Sequence, residues 1–209
     1  MPLYNNPNTD WNPITETFTY ASATSITVVT GAASRWVAGD KFQFTQHGVL
    51  KNFCVLIVAD TLLTIIGETA SIVVENTGTY PITGIQYSRL ENPIGFPKYF
   101  VWTPVITAYS GTPTTVTSAL KLIVKGSSII MGGLVTVVDK GSASAFMKIS
   151  TPIVSAVAAA GGGIEGGATG KSCSISMTTS GSTVDVNLYD ATTPWVNGYA
   201  IRFSIIYFY

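Results

Sequence analysis

Through almost every ordered stretch of this chain, apolar and polar residues alternate with a period of two or give way to β-branched runs. Nowhere does an i, i+3, i+4, i+7 stripe persist for three turns. A period of two places successive side chains on opposite faces of a strand, so the pattern predicts an all-β protein. Short strands are expected over 15–20, 25–29, 41–46, 49–58, 62–66, 71–75 and 83–87. They are separated by turn signals such as Thr30-Gly31, Ala38-Gly39-Asp40, His47-Gly48 and Asn76-Thr77-Gly78. That rhythm suits a small N-terminal β-barrel or sandwich module. The pattern then breaks at Asn92-Pro93-Ile94-Gly95-Phe96-Pro97, where proline and glycine suppress both helix and ladder, and the boundary between two domains, 1–97 and 98–209, is placed there.

Strands resume over 114–124, 129–138, 143–149, 171–178, 183–189 and 199–209. Lys125-Gly126-Ser127-Ser128 and Asp139-Lys140-Gly141 read as hairpin turns, since glycine supplies the positive φ that strand reversal needs. The number and spacing of these strands suit a C-terminal jelly-roll-like β-sandwich, with a Greek-key sandwich as the nearest alternative. In the last strand, Ile201, Phe203, Ile205 and Tyr207 share one face, while Ile206 and Phe208 follow Arg202 and Ser204 on the other. A strand backed by its own core normally shows water a polar second face, so Ile206 and Phe208 are expected at a subunit interface.

Composition points the same way. Of 209 residues, 46% are hydrophobic and 11% charged, against about 25% charged in ordinary soluble domains. So little charge leaves apolar surface that more than one chain is needed to hide. Disorder is excluded, because it requires low hydrophobicity with high net charge. Lys and Arg (11) balance Asp and Glu (11) and are scattered, which gives no basic surface for nucleic acid. The longest strictly apolar run, Phe53 to Ala59, falls far short of the roughly 18 residues of a membrane-spanning helix, so no membrane insertion is expected. The opening residues carry no basic stretch followed by an apolar core, and a cleaved secretion signal is not expected. Cys54 lies in an apolar run and Cys173 alternates with Ile175 and Met177, so both read as buried thiols rather than as a disulfide or metal ligands.

Reactive chemistry finds little support. Gly161-Gly162-Gly163-Ile164-Glu165-Gly166 matches the dinucleotide pattern GxGxxG, yet an alternating strand follows where that motif requires a helix. Gly166 to Ser172 resembles a phosphate-binding loop but has three residues, not four, between its key glycines. The stretch 156–170 therefore reads as a low-volume Ala/Gly loop. His47, the sole imidazole, sits beside Gly48 in a two-residue turn and reads as a solvated turn residue. Asp185 and Asp190 bracket one strand, but five residues of extended chain put them roughly 16 Å apart on opposite faces, outside either glycosidase geometry. No DxDxDG calcium loop occurs. No catalytic residue, metal or cofactor is therefore expected, and a glycan hydrolase is the least supported reading. Aromatic content of 11% suits cores, interface anchors or sugar stacking. Trp195, between Asp190-Ala191-Thr192-Thr193-Pro194 and Asn197-Gly198, is the tryptophan expected outside the core, and with Tyr189 it is the candidate ligand-facing surface.

Phe18-Thr19-Tyr20-Ala21-Ser22-Ala23-Thr24-Ser25-Ile26-Thr27-Val28 and Gly39-Asp40-Lys41-Phe42-Gln43-Phe44-Thr45-Gln46 resemble the opening of a small β module in structural proteins of tailed bacteriophages. Thr45-Gln46-His47-Gly48 and the 92–97 segment stand at the places of that module's turn and exit. Phe100-Val101-Trp102-Thr103-Pro104 and Tyr109-Ser110-Gly111-Thr112-Pro113 resemble the start of the jelly-roll-like domain that often follows. The resemblance implies a non-enzymatic virion component, commonly a homotrimer. Such a protein serves as a capsid decoration or head fibre, or as a tail fibre, in contact with other capsid or tail proteins. The alternative is a tail-associated receptor-binding protein that recognises host-surface glycans.

Overall fold

A computed structural model describes residues 10–69 and 71–209. The chain is all-β and divides into two compact units, Met1–Phe100 with Val124–Ser127, and Val101–Ile123 with Ser128–Tyr209. No helix among the described residues is long and apolar enough to cross a membrane.

The first unit holds a seven-stranded antiparallel sheet. Its strands are β1 (Asn12–Pro13), β2 (Thr19–Ser22), β3 (Ser25–Thr27), β4 (Lys41–Gln46), β5 (Val49–Val58), β6 (Leu62–Gly67) and β7 (Thr83–Ser88). The order β1-β7-β4-β5-β6-β3-β2 sets the meander β4-β5-β6 beside the returning β7, which is a Greek key. Alternation explains the core. Phe42 and Phe44 point inward from β4 and Phe53 and Val55 from β5, and the three phenylalanine rings stack, with Phe42 and Phe44 5.4 and 5.1 Å from Phe53. Phe18 and Trp36 close edge-on against Phe42 at 5.6 and 5.9 Å.

β5 is buried on both faces from Lys51 to Leu56: Phe53–Leu56 are apolar on both faces, and the buried Lys51 and Asn52 bond Glu75 and Glu68. Trp11, Phe96 and Phe100 form a file of rings in this unit, 6.0 and 5.8 Å between neighbours, and Lys41, which pairs with Cys54, sits 5.8 Å above Phe96. The 92–97 stretch thus folds back as part of the first unit. Burial of Cys54 pushes its thiol up to about 12.

Two expected strands of this unit differ. Residues 15–18 leave the ladder after the Ile14 amide donates to Ile85 O at 3.0 Å, and a cleft of about 370 Å³ opens between 13–18 and 82–86. Residues 71–75 form no strand: the Ile72 amide turns back to Thr69 O (3.0 Å), the Val74 amide reaches Ala23 O (3.1 Å), and side chains hold the rest of the backbone. Gln46 Oε1 accepts from the Glu75 amide (3.0 Å), Gln46 Nε2 donates to Glu75 O (2.8 Å) and Lys51 Nζ donates to Val73 O (2.8 Å).

The second sheet comprises β8 (Phe100–Trp102), β9 (Ile106–Ser110), β10 (Thr115–Lys125), β11 (Ser128–Asp139), β12 (Ser144–Ser150), β13 (Ala159–Glu165), β14 (Ser172–Met177), β15 (Thr183–Leu188) and β16 (Ala200–Phe208). Its order is β8-β10-β11-β16-β13-β14-β15-β12-β9, and β12 to β15 form a Greek key of spatial order β13-β14-β15-β12. Each unit is thus a curled antiparallel sheet of the kind expected for a barrel or sandwich. β16 lies near the middle and sends Ile201, Phe203, Ile205 and Tyr207 inward, as its alternation predicts.

Within the 156–170 stretch read as a loop, Ala159–Glu165 form β13, a strand between β16 and β14, and for those residues the expectation is corrected; 156–158 and 166–170 lie outside the strands. Gly161 and Gly163 stand opposite Ile205 and Phe203. A Cβ at Gly161 would lie 2.2 Å from Ser204 O, and one at Gly163 2.6 Å from Arg202 O. At these two positions only glycine fits so close to β16. β8 and β9, within the Pro- and Gly-punctuated 100–113 region, are strands that alternation did not announce.

Candidate functional site

The residues singled out by sequence fall on different parts of the second unit. Tyr189 follows β15 and is 72% exposed. Its amide donates to Ser172 O at 3.0 Å, which fixes the backbone beneath the ring. Beside it, Lys171 Nζ lies 2.7 Å from Asp190 Oδ2 and 3.3 Å from Thr192 Oγ1, and the Thr192 hydroxyl donates to Asp190 Oδ1 at 2.6 Å. The hydrogen bonds from Lys171 and Thr192 hold the Asp190 carboxyl down at about 2, and Asp190 in turn raises the Lys171 ammonium. Tyr189 therefore stands next to a fixed donor–acceptor set.

Trp195 is not a surface residue. It is fully buried, among the largest such side chains in the chain, and its indole Nε1 donates to Phe146 O at 3.3 Å. The loop turns inward because its polar residues bond within the unit. Thr193 Oγ1 donates to Ala145 O (3.0 Å) and accepts from the Trp195 amide (3.1 Å), and the Gly198 amide donates to Val137 O (2.8 Å). With its polar atoms paired, the ring is free to fill the core.

Ile206 and Phe208 lie outward on β16, each 52% exposed. Ile206 pairs with Ile130 and Phe208 with Ser128 across β11. The segment after β12 adds Val154 and Val157, both exposed, where Ser155 Oγ donates to Val157 O (2.5 Å) and to Phe208 O (3.2 Å). An apolar patch thus surrounds the end of β16.

The two aspartates do not form a pair. Asp185 takes Lys148 at 3.4 Å and Asp190 takes Lys171 at 2.7 Å. His47, in the β4–β5 turn at φ 54°, is stacked on Tyr80 at 4.0 Å between ring centroids, with Nδ1 3.5 Å from Glu75 Oε1. Glu75 Oε2 also takes Lys51 at 2.5 Å, so this turn helps to brace the 71–80 segment. The hydrogen bond from Lys51 lowers the Glu75 carboxyl.

The glycine loop holds a residue that pattern reading passed over. Glu165 is completely buried, and its carboxylate accepts from the amides of Gly167 (2.6 Å), Ala168 (3.1 Å), Thr169 (2.6 Å) and Ala200 (3.2 Å) and from Thr169 Oγ1 (2.8 Å). Successive amides of this kind make an anion-binding concavity. Here the chain's own carboxylate fills it, which leaves those amides unavailable to a phosphate.

Cys54 and Cys173 are free, buried thiols. Among the described residues, no group of three or more His, Cys, Asp or Glu side chains is placed to hold a metal ion. Comparison of the chain with protein-family models, curated proteins and solved structures gave no match.

Proposed function

We propose that this protein is a non-enzymatic structural component of a bacteriophage virion, displayed on the particle as a homotrimeric capsid decoration or fibre and held there by other capsid or tail proteins. The observation that carries the assembly is the outward face of β16. Ile206 and Phe208 stand half exposed beside Ile130, Val154 and Val157, at strand positions where a solvent-facing sheet normally carries polar residues. Closing three such faces around one axis removes them from water together, and a closed symmetry prevents open-ended growth. In this reading the first unit anchors to the particle, and its resemblance to phage β modules supports that role.

Sedimentation of the purified chain at micromolar concentration is expected to give a single species of three chains. Introducing Ile206→Asp with Phe208→Asp is expected to yield monomers that keep the wild-type far-UV circular dichroism, since both side chains already face outward. A monodisperse wild-type monomer at that concentration would sink the assembly.

A second reading, recognition of host-surface glycan, is favoured by Tyr189, whose exposed side chain is followed in sequence by Asp190, the partner of Lys171 and Thr192. The ring offers an apolar stacking face, and the three polar groups offer hydrogen bonds to sugar hydroxyls.

A further inference from the structure

We infer that the outward face of β9, β12 and β15 is a binding surface for neutral carbohydrate, with Tyr109 as its stacking platform. For the class of ligand this rests on the glycan-binding reading, but it assigns different residues, Tyr109 on β9, Phe146 and Lys148 on β12 and Asp185 on β15, brought together by the sheet.

The register builds the surface row by row. Thr107 pairs with Lys148 across β9 and β12, and Lys148 with Asp185 across β12 and β15. The alternate positions, Met147 and Val186, are fully buried, so Lys148 and Asp185 face outward. Lys148 Nζ stands 3.4 Å from Asp185 Oδ1 and 4.9 Å from the centroid of Phe146. Phe146 in turn meets Tyr109 at 4.5 Å between ring centroids, with the planes 31° apart. The ladder slips between Ser144 and Met147, where Ala145 takes φ 60°, and a bulge of this kind re-aims the side chains it carries. Tyr109 keeps 64% of its surface in solvent, and β9 is the last strand of its sheet, so the platform is approachable.

The chemistry selects the ligand. Tyr109 is supported from one side by Phe146 and presents a preorganised apolar ring. Lys148 and Asp185 supply donors and acceptors 3.4 Å from each other, and their charges cancel. An anion gains from Lys148 what it loses to Asp185, and a cation meets the reverse. A flat apolar protein partner must strip water from the ion pair with no group to replace it. A neutral pyranose does neither. Its C–H face lies on the tyrosine ring, while its hydroxyls donate to Asp185 and accept from Lys148, which remain hydrogen-bonded throughout.

The test is an array of neutral hexose and N-acetylhexosamine oligosaccharides probed with the full chain, followed by calorimetric titration of a retained oligosaccharide. Tyr109→Ala is expected to weaken binding by about tenfold or more, and Tyr109→Phe, which keeps the stacking face, to stay within about threefold of wild type. Both substitutions are at an exposed position and are expected to keep the wild-type unfolding midpoint. Loss of binding in Tyr189→Ala with none in Tyr109→Ala would leave the glycan reading standing and overturn this surface. Retention of acidic glycans alone would overturn the charge argument. Failure to retain any glycan would overturn both readings.

Discussion

Replacing Glu165 by alanine is expected to cost the fold about 3 kcal/mol or more, because hydrogen bonds to a charged acceptor are worth about 1.5–3 kcal/mol each and several share this one carboxylate. Four backbone amides, of Gly167, Ala168, Thr169 and Ala200, and the Thr169 hydroxyl lose their acceptor together. Ala200 begins β16 and Glu165 ends β13, so the carboxylate ties the turn after one strand to the start of the strand beside it. Urea denaturation followed by circular dichroism measures the loss, and Glu165→Gln, which keeps one acceptor oxygen, is expected to lose less. The carboxylate also predicts a pH dependence. Burial pushes its pKa up, but the bonds from Thr169, Ala200 and Gly167 outweigh burial and hold it at about 2. In the unfolded chain a glutamate titrates near about 4.3. The folded value being the lower one, the stabilisation is fully present above the unfolded value and disappears as pH falls toward about 2. The stability gap between wild type and Glu165→Gln is therefore expected to be widest from pH 5 upward and to narrow toward pH 2. An equal gap at pH 2 and pH 7 would contradict a carboxylate role.

How far such features could be read from sequence depends on where their information sits. β4 and β5 are legible to the residue, since Phe42 and Phe44 alternate with Lys41, Gln43 and Thr45, and His47-Gly48 marks the turn between them. The two faces of β16 are equally legible, because every position there carries a side chain that declares its preference. β13 is not, for the opposite reason. Ala159-Ala160-Gly161-Gly162-Gly163 has no bulk to alternate, and what makes it a strand is the room left between β16 and β14. Residues 71–75 mislead by alternating in the manner of a strand while Gln46 and Lys51 take the backbone bonds of Val73 and Glu75. For the site residues the same division holds. The outward positions of Ile206 and Phe208 follow from local period, whereas Tyr109 beside Phe146 is a matter of register between β9 and β12, which no local pattern specifies. Glu165 was visible as a letter inside a glycine motif. That motif marks amides able to surround an anion, and the anion turned out to be internal.

Trp195 provides the other large expected effect. A tryptophan among Thr, Pro, Asn and Gly reads as part of a surface loop, yet those polar neighbours bond inward and let the indole fill the core. Trp195→Ala is expected to destabilise the protein by about 3–5 kcal/mol, the range for emptying a large aromatic from a packed interior, with the orphaned Phe146 carbonyl adding to the loss. Trp195→Phe keeps most of the volume and is expected to cost markedly less. Thermal or urea unfolding measures both. Had Trp195 been a ligand platform, alanine would leave the unfolding midpoint in place and remove only binding. As a core residue that also holds the Phe146 backbone, it acts on both. In Trp195→Ala any loss of glycan binding should accompany a fall in stability, whereas Tyr109→Ala loses binding at an unchanged midpoint. The two variants separate a side chain that supports the surface from one that forms it, and a Trp195→Ala protein as stable as wild type would show that the indole is not part of the interior.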